Sequence, residues 1–412
     1  MIDGREIVYR YRWVIMGVLW IAYIVVYAYR LSIGPLSPFI KEELALDHTQ
    51  IGWIMSAGTF GYMLSIFPAG WATDRIGVRW LLVFGEVVGG TFLLGMFLTP
   101  TYSTALVVMA LAGFGGGCLL PATTKGVMLW FPARERATVM GLKQTAVNVG
   151  GMIAALTMPT VAILFGWHTA FLFLGILAIL IGIISFMLYR DPAAPAAPPS
   201  ENNATLIEDS TPPVKQSQFA VLKNRHIWLL AVAGFTLLIT EFAVITHLVL
   251  YLTEEVLLPV RTAGFVLAIA EAGGILGKPG SGFLSDRVFG SRRSVYLLWA
   301  GGASAMCLMI ALWGQSLSWV LYPVLFILGV TSIGWGGIHL TLLAEMAGKE
   351  RVGTATGAVL AVTMIGGVLG PIIFGYIVDL TGTYQMAWLA MAASAAISVL
   401  AVFFVQENRR LA

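Results

Sequence analysis

Charge is scarce in this sequence: Asp, Glu, Lys and Arg together make up 11% of 412 residues, against about 25% in an ordinary soluble domain. So few ionisable groups cannot clothe a water-soluble surface when 58% of the residues are hydrophobic. Cysteine is scarcer still. The two present, Cys118 and Cys307, fall inside apolar runs far apart in the chain, which excludes a disulfide framework. Zinc-type spacing, a nucleophile elbow and a loop-borne carboxylate pair are all missing, so neither an enzyme nor a resident metal is expected. Gly277-Lys278 superficially suggests a phosphate-binding loop, but the first glycine and the following Ser or Thr are absent. An engine driven by nucleotide hydrolysis is therefore not expected, and no cofactor is implied.

What is abundant is apolar sequence in runs of about 20 residues, the length that crosses a hydrocarbon core of about 30 Å at 1.5 Å per residue. Twelve spans are expected: 13–34, 50–70, 80–98, 104–130, 137–165, 169–189, 226–252, 260–284, 294–312, 318–346, 353–378 and 385–405. The first lacks a small-residue cleavage site and runs on into a polar segment, so it reads as span 1 rather than a removable signal peptide.

A net charge of +3 would suggest nucleic acid as a partner, but the positions of the charges point to a bilayer instead. With spans alternating from an inside N-terminus, 18 of the 24 Lys and Arg residues fall on inner segments, among them Arg5, Arg10, Arg134, Lys215, Lys349, Arg409 and Arg410. Only Lys41 and Arg261 fall outside. That asymmetry predicts a multi-pass protein of the cell (inner) membrane with both termini cytoplasmic. A monomer is expected.

Between Asp191 and Lys215 the hydrophobicity collapses into a Pro-, Ala-, Ser- and Asn-rich stretch. The chain divides into residues 1–190, a cytoplasmic flexible linker 191–224, and residues 225–412. The two halves repeat each other. Glu42-Glu43 recurs as Glu254-Glu255 and Asp74-Arg75 as Asp286-Arg287, all 212 positions apart; Arg136, Gly150 and Gly151 recur as Arg351, Gly366 and Gly367, 215 or 216 apart. Parallel halves of this kind place a solute site near the midplane between them.

The segment Gly70-Trp71-Ala72-Thr73-Asp74-Arg75-Ile76-Gly77-Val78-Arg79 resembles the inner-loop signature of the major facilitator superfamily, G-x-x-x-D-R-x-G-x-R. Its echo, Gly282 to Arg293, carries one extra residue before the glycine. The resemblance covers essentially the whole chain. It implies an all-α membrane fold of two pseudo-symmetric six-helix bundles, with helices 1, 4, 7 and 10 lining a cavity and alternating access as the mechanism. Asp74, Arg75, Arg79, Arg136, Asp286 and Arg287 are expected in the gate, where a carboxylate caps a neighbouring helix and pairs with loop arginines.

Seven ionisable residues lie within spans: Arg30, Lys125, Lys143, Lys278, Glu86, Glu241 and Glu271. Each costs about 2.5–3.5 kcal/mol to insert, so each must be paired, hydrated or functional. Arg30 ends a stripe on one face of span 1, Trp20, Tyr23, Tyr27, Arg30 and Gly34. It lies about 18 Å inward of Glu42, where a guanidinium can grip a carboxylate in two parallel hydrogen bonds.

Tyr27-Ala28-Tyr29-Arg30 resembles the Tyr-x-Asp-Arg segment of the anion:cation symporter branch, whose arginine binds an organic anion, and Pro121 to Ala137 is similar to that branch too. Tyr29 stands where the branch has an aspartate, and Gly116 where some members carry a proton-handling glutamate, so another acid must serve. The 212 offset maps Tyr29 onto Glu241, at Arg30's depth. Its proton could be linked to solute occupancy, unless Glu241 is a static gate partner of Arg30.

Glu271, Gly274 and Lys278 share one face of span 8, and Lys278-Pro279-Gly280 is weakly similar to the Arg-Pro segment of monocarboxylate carriers. Lys278 is a candidate solute ligand and Glu271 a second proton carrier. Glu86 is expected as a buried partner of Lys125 or Lys143. Lys125, Lys143 and Gln144 are further cavity candidates, as are Trp335 and His339, with a satisfied interior histidine as the alternative for the last. These expectations describe a secondary transporter moving a small organic anion, a carboxylate, in symport with protons or another coupling cation. An exchanger or drug-efflux antiporter, or a transport-inactive membrane sensor, are the rival readings.

Overall fold

The computed structural model describes residues 4–98, 101–191, 218–316, 318–348 and 351–407. Lys215, Lys349, Arg409, Arg410 and most of the expected linker lie outside them, as do the side chains of Arg5, Arg10 and Arg134. Among the described residues there are twelve long helical rods and no strand. In chain order these are α1 (Gly4–Leu31, continued by Ile33–Glu43), α2 (His48–Ile76), α3 (Val78–Met96), α4 (Tyr102–Gly117, continued by Leu119–Trp130), α5 (Ala133–Phe165) and α6 (Trp167–Leu188). The second set is α7 (Arg225–Glu254), α8 (Val260–Leu284), α9 (Arg292–Trp313), α10 (Leu321–Ser332, continued by Gly336–Ala347), α11 (Val352–Thr381) and α12 (Tyr384–Phe403). Eleven rods are long and apolar enough to cross a membrane. The twelfth, α2, has 29 residues and so about 43 Å of reach, but is more polar.

Three rods are interrupted within the membrane, and two of the breaks have a local cause. Proline has no N–H to give the carbonyl four residues earlier. Pro35 and Pro121 therefore weaken α1 at Leu31 and α4 at Gly117, next to the breaks at Ser32 and Cys118. In α10 the interruption falls at 333–335, the repeat equivalent of Cys118.

The sequence echo between the halves is also a structural echo. Gly77 joins α2 to α3 at φ 88°, and a Cβ there would approach Asp191 Oδ2 to 2.8 Å, so the signature needs glycine at this point. Asp191, just beyond α6, accepts hydrogen bonds from the amides of Val78 and Arg79 at the start of α3. Glu407, just beyond α12, does the same at the start of α9, accepting from the Arg292 amide and the Ser291 hydroxyl. In each half a carboxylate thus caps the third helix of its bundle. The extra residue in the second-half signature is absorbed by a π-helical turn at Ser285–Phe289, ending on Gly290 at φ 58°.

The bundles meet along a seam where α2 packs on α11, α5 on α8 and α1 on α7. At the face opposite the chain termini, the far face, the seam is sealed. Lys41 donates to Glu254 (2.8 Å), the two ring nitrogens of His48 meet Glu254 (2.9 Å) and Asp379 (2.6 Å), and Tyr384 donates to Glu254 (2.9 Å). The Thr49 amide adds a bond to Asp379 at 2.7 Å. Backbone meets backbone along the seam as well: a Cβ on Gly375 would collide with the His48 carbonyl at the far face, and one on Gly34 with that of Ile245 deeper in. At the terminal face, the bonds traced between described residues stay within one bundle, as in Lys125 to Asp74 and Arg292 to Asp286.

Candidate functional site

The stripe read on span 1 forms the N-bundle wall of the midplane. Tyr23 and Tyr27 pack edge to face with centroids 5.0 Å apart, and each hydroxyl lies against that of Tyr62 on α2, at 3.4 and 3.3 Å. The Arg30 guanidinium stands 3.8 Å from the Tyr62 ring centroid and 5.0 Å from that of Tyr27. Such stacking stabilises a cation by the ring quadrupole without cancelling its charge. Arg30 is 5% exposed and pairs with no carboxylate among the described residues. The alternative of a static pair between Arg30 and Glu241 is not realised among the described residues. Glu241, on α7, instead accepts the Trp335 indole N–H at 2.9 Å, at the break in α10. Tyr62 carried no signal in the sequence beyond being a phenol in mid-span.

Tyr29, beside Arg30, is turned the other way. Its ring is buried inside the N bundle and its hydroxyl donates to the Ala112 carbonyl at 3.3 Å. A Cβ on either Gly89 or Gly116 would meet that hydroxyl, so the missing side chain at Gly116 is the space the phenol fills.

The shared face of Glu271, Gly274 and Lys278 on α8 is occupied from across the seam by Asn148 of α5. Asn148 donates its amide to Glu271 Oε2 at 2.7 Å, and its carbonyl oxygen accepts from the Lys278 ammonium. A Cβ on Gly274 would come within 2.8 Å of the Asn148 amide nitrogen, so the glycine leaves the room this bridge needs. Asn148 and Glu271 are each 1% exposed, whereas Lys278 is only partly covered. The other Glu271 oxygen, Oε1, is enclosed without a partner. Lys278 also lies within electrostatic reach of Glu241 and of Tyr27, the ring that flanks Arg30. Gln144, one turn from Asn148 on the same stripe of α5, is exposed.

Other candidates are engaged elsewhere. Lys125 donates to Asp74 (2.8 Å) and to the Thr73 carbonyl (3.0 Å), so its ammonium belongs to the signature loop. Lys143 is buried between α1 and α4, donating to Thr124 Oγ1 at 3.2 Å with the Tyr23 ring 4.5 Å away. Neither meets Glu86, contrary to expectation: both Glu86 oxygens are enclosed and unpartnered. The α3 face carrying Glu86 packs on Gly182 of α6, away from α5. His339 is buried in the second bundle, with Nδ1 bonded to the Tyr296 hydroxyl at 3.0 Å and Nε2 without a partner.

At the signature loops, Asp74 takes a lysine rather than an arginine. Arg75 and Arg287 lie over Trp71 and Phe283 of their own helices, at 4.0 and 5.7 Å. Arg79 binds the Phe186 carbonyl at 2.8 and 2.6 Å, and Arg136 closes the end of α4 through the Phe131 and Met128 carbonyls, both at 2.9 Å. Asp286 pairs with Arg292, which also reaches Glu345 at 3.1 Å.

Among the described residues no cluster of His, Cys, Asp and Glu is placed to hold a metal ion. The arrangement is a pair of facing bundles, each presenting a cation to a midplane lined with phenols and flanked by acids. A model of the Major Facilitator Superfamily matches residues 19–341 and 239–412. The chain belongs to the major facilitator superfamily. This superfamily member is 27% identical over 399 residues to the hexuronate transporter of Bacillus subtilis, covering 93% of this chain and 92% of the relative. It is 25% identical over 418 residues to the probable sulfoacetate transporter SauU of Cupriavidus necator, covering 96% and 94%. Its fold matches the crystal structure of a bacterial homolog of the human lysosomal transporter Spinster, inward-facing and unoccupied, with TM-score 0.74, 18% identity and 96% of each chain covered. The protein is thus a multi-pass membrane transporter of this superfamily, with relatives named for small organic anions.

Proposed function

We propose that this carrier takes up a small organic anion, a carboxylate, together with protons, both termini being cytoplasmic. The observation that carries the reading is Arg30: a guanidinium about halfway through the membrane, stacked on Tyr62 and Tyr27, with no acid of its own. An uncompensated cation at that depth is costly unless an anion joins it for part of the cycle. Hexuronate and sulfoacetate, the compounds for which two relatives are named, both carry a carboxylate.

Charge balance suggests how protons enter. Arg30 and Lys278 are two cations; Glu241 and Glu271 are two acids flanking Lys278. With both acids ionised the site is neutral. One proton on Glu241 leaves a net charge of +1, which a monoanion restores to zero, so proton and solute favour each other's binding. In this scheme Arg30 and Lys278 hold the solute, the phenols of Tyr23 and Tyr27 orient it, and Trp335 positions Glu241. The bodies 1–190 and 225–412 then rock about the seam, with 191–224 as the tether.

Proteoliposomes with an inward proton gradient test the reading using labelled galacturonate. Accumulation is expected in the parent protein and none in Arg30→Ala. Glu241→Gln should exchange solute across the membrane but fail to accumulate it. Retained uptake by Arg30→Ala would remove the anion site, and normal accumulation by Glu241→Gln would remove that residue as the coupling acid.

A further inference from the structure

Away from the seam, the terminal end of the second bundle carries a separate concavity of about 420 Å³ between the first turns of α7 and α9 and the end of α12. Its walls include Arg225, Arg293, Leu229, Phe403, Phe404 and Gln406. Arg293 donates Nε to the Val402 carbonyl at 3.3 Å and Nη2 to that of Phe403, with its guanidinium 5.4 Å from the Phe403 ring. It therefore closes the C-terminal carbonyls of α12 while keeping its full charge. Arg225 is exposed and makes no hydrogen bond or ion pair among the described residues. The acid beside the cleft, Glu407, is committed to Ser291 and the Arg292 amide. Two guanidiniums thus share one cleft without a carboxylate.

The rim is apolar. Phe403 is 56% exposed, Phe404 63%, and Trp228, one turn along α7 from Arg225, 44%. In a membrane protein such rings face acyl chains and the interfacial layer. We propose that the cleft binds an anionic phospholipid from the leaflet on the terminal side. Its phosphodiester oxygens lie between Arg225 and Arg293, and its glycerol and upper acyl carbons lie on Phe403 and Phe404. Guanidinium forks match phosphate oxygens in paired, charge-assisted bonds, and basic pockets between helix ends are where such headgroups lodge.

Two features select this occupant. A zwitterionic lipid would bring its own cation against the two guanidiniums, so net negative charge is favoured. A soluble phosphate would satisfy the arginines but leave the aromatic rim uncovered. The bound lipid would tie α7, which carries Glu241 on the seam, to α9 and α12 on the outside of the same bundle.

Native mass spectrometry of the full chain, released from nanodiscs of equal phosphatidylglycerol and phosphatidylcholine, reads this directly. Retained phosphatidylglycerol should exceed phosphatidylcholine, and Arg225→Gln should lower its retention about tenfold, as for loss of one charge-assisted contact. Arg293→Gln should lower it too, but it also uncaps α12, so Arg225→Gln decides. Arg190→Gln, at the terminal end of the other bundle, should leave it unchanged. Equal loss in Arg190→Gln would make the retention general surface attraction and overturn the site. Displacement of the lipid by millimolar glycerol phosphate would reassign the cleft to a soluble anion, and unchanged retention in Arg225→Gln would end the proposal.

Discussion

Lys278 and Asn148 meet across the seam, the ammonium of α8 donating to the carboxamide oxygen of α5, while the same carboxamide donates to Glu271. One neutral side chain therefore bridges an acid and a base that stand about two turns apart on a helix of the opposite bundle. In this structure it does so with the far face closed.

Removing that bridge should loosen the closed state. Asn148→Ala leaves Lys278 and Glu271 with buried polar atoms unsatisfied, at a cost of about 1–3 kcal/mol. Far-face opening should rise accordingly, read as labelling of Ser56→Cys by an impermeant maleimide. Ser56 lies on the seam, bonded to the Val368 carbonyl at 2.5 Å, and the native Cys118 and Cys307 are buried, so background labelling is low.

The rim network makes a similar prediction by a different route. Asp379 accepts from His48, from the Thr49 amide and from the Thr49 hydroxyl, joining α11 to the start of α2. Asp379→Asn keeps the shape but halves the acceptor capacity and removes the charge. Labelling of Ser56→Cys should increase about tenfold, and an unchanged rate would show that the backbone contacts alone hold the rim.

Glu86 should behave in the opposite sense. It is 0% exposed and neither oxygen has a partner. Glu86→Met replaces a buried, unsatisfied carboxyl by an apolar chain of similar length, so stability should rise by about 1–3 kcal/mol. A thermal melt in detergent checks it; a lowered midpoint would mean that the carboxyl does more than fill space.

Gly77 is predicted to tolerate no side chain. Gly77→Ala forces an L-residue to φ 88° and pushes its Cβ against the Asp191 carboxylate. A loss of about 1–3 kcal/mol is expected from the backbone alone. Gly290→Ala, at φ 58° with open space around it, should lose less.

The large-scale organisation was legible because it depends on one-dimensional quantities. Span length, the 212-residue echo and the signature glycine each map onto a structural fact without knowledge of helix rotation. Arg30 and its tyrosine stripe were legible too, since a charge in an apolar run is conspicuous wherever it points. Tyr62 and the Asn148 bridge were harder, because in a bilayer both faces of a helix are apolar and periodicity no longer reports which side meets a neighbour. The same blindness explains Lys125 and Glu86. Their depths along their helices are similar, which suggested a pair, but α3 turns Glu86 toward α6 while Lys125 reaches Asp74.

The seam closes partly on bare main chain, Gly375 against His48 at the far rim and Gly34 against Ile245 about two turns below it. With no side chain to act as a cushion, those surfaces touch only at full closure and lose their dispersion contacts within the first ångström of parting. The rim consequently behaves as a snap fastener rather than a sliding door, and a single added methyl at Gly375 would wedge it ajar.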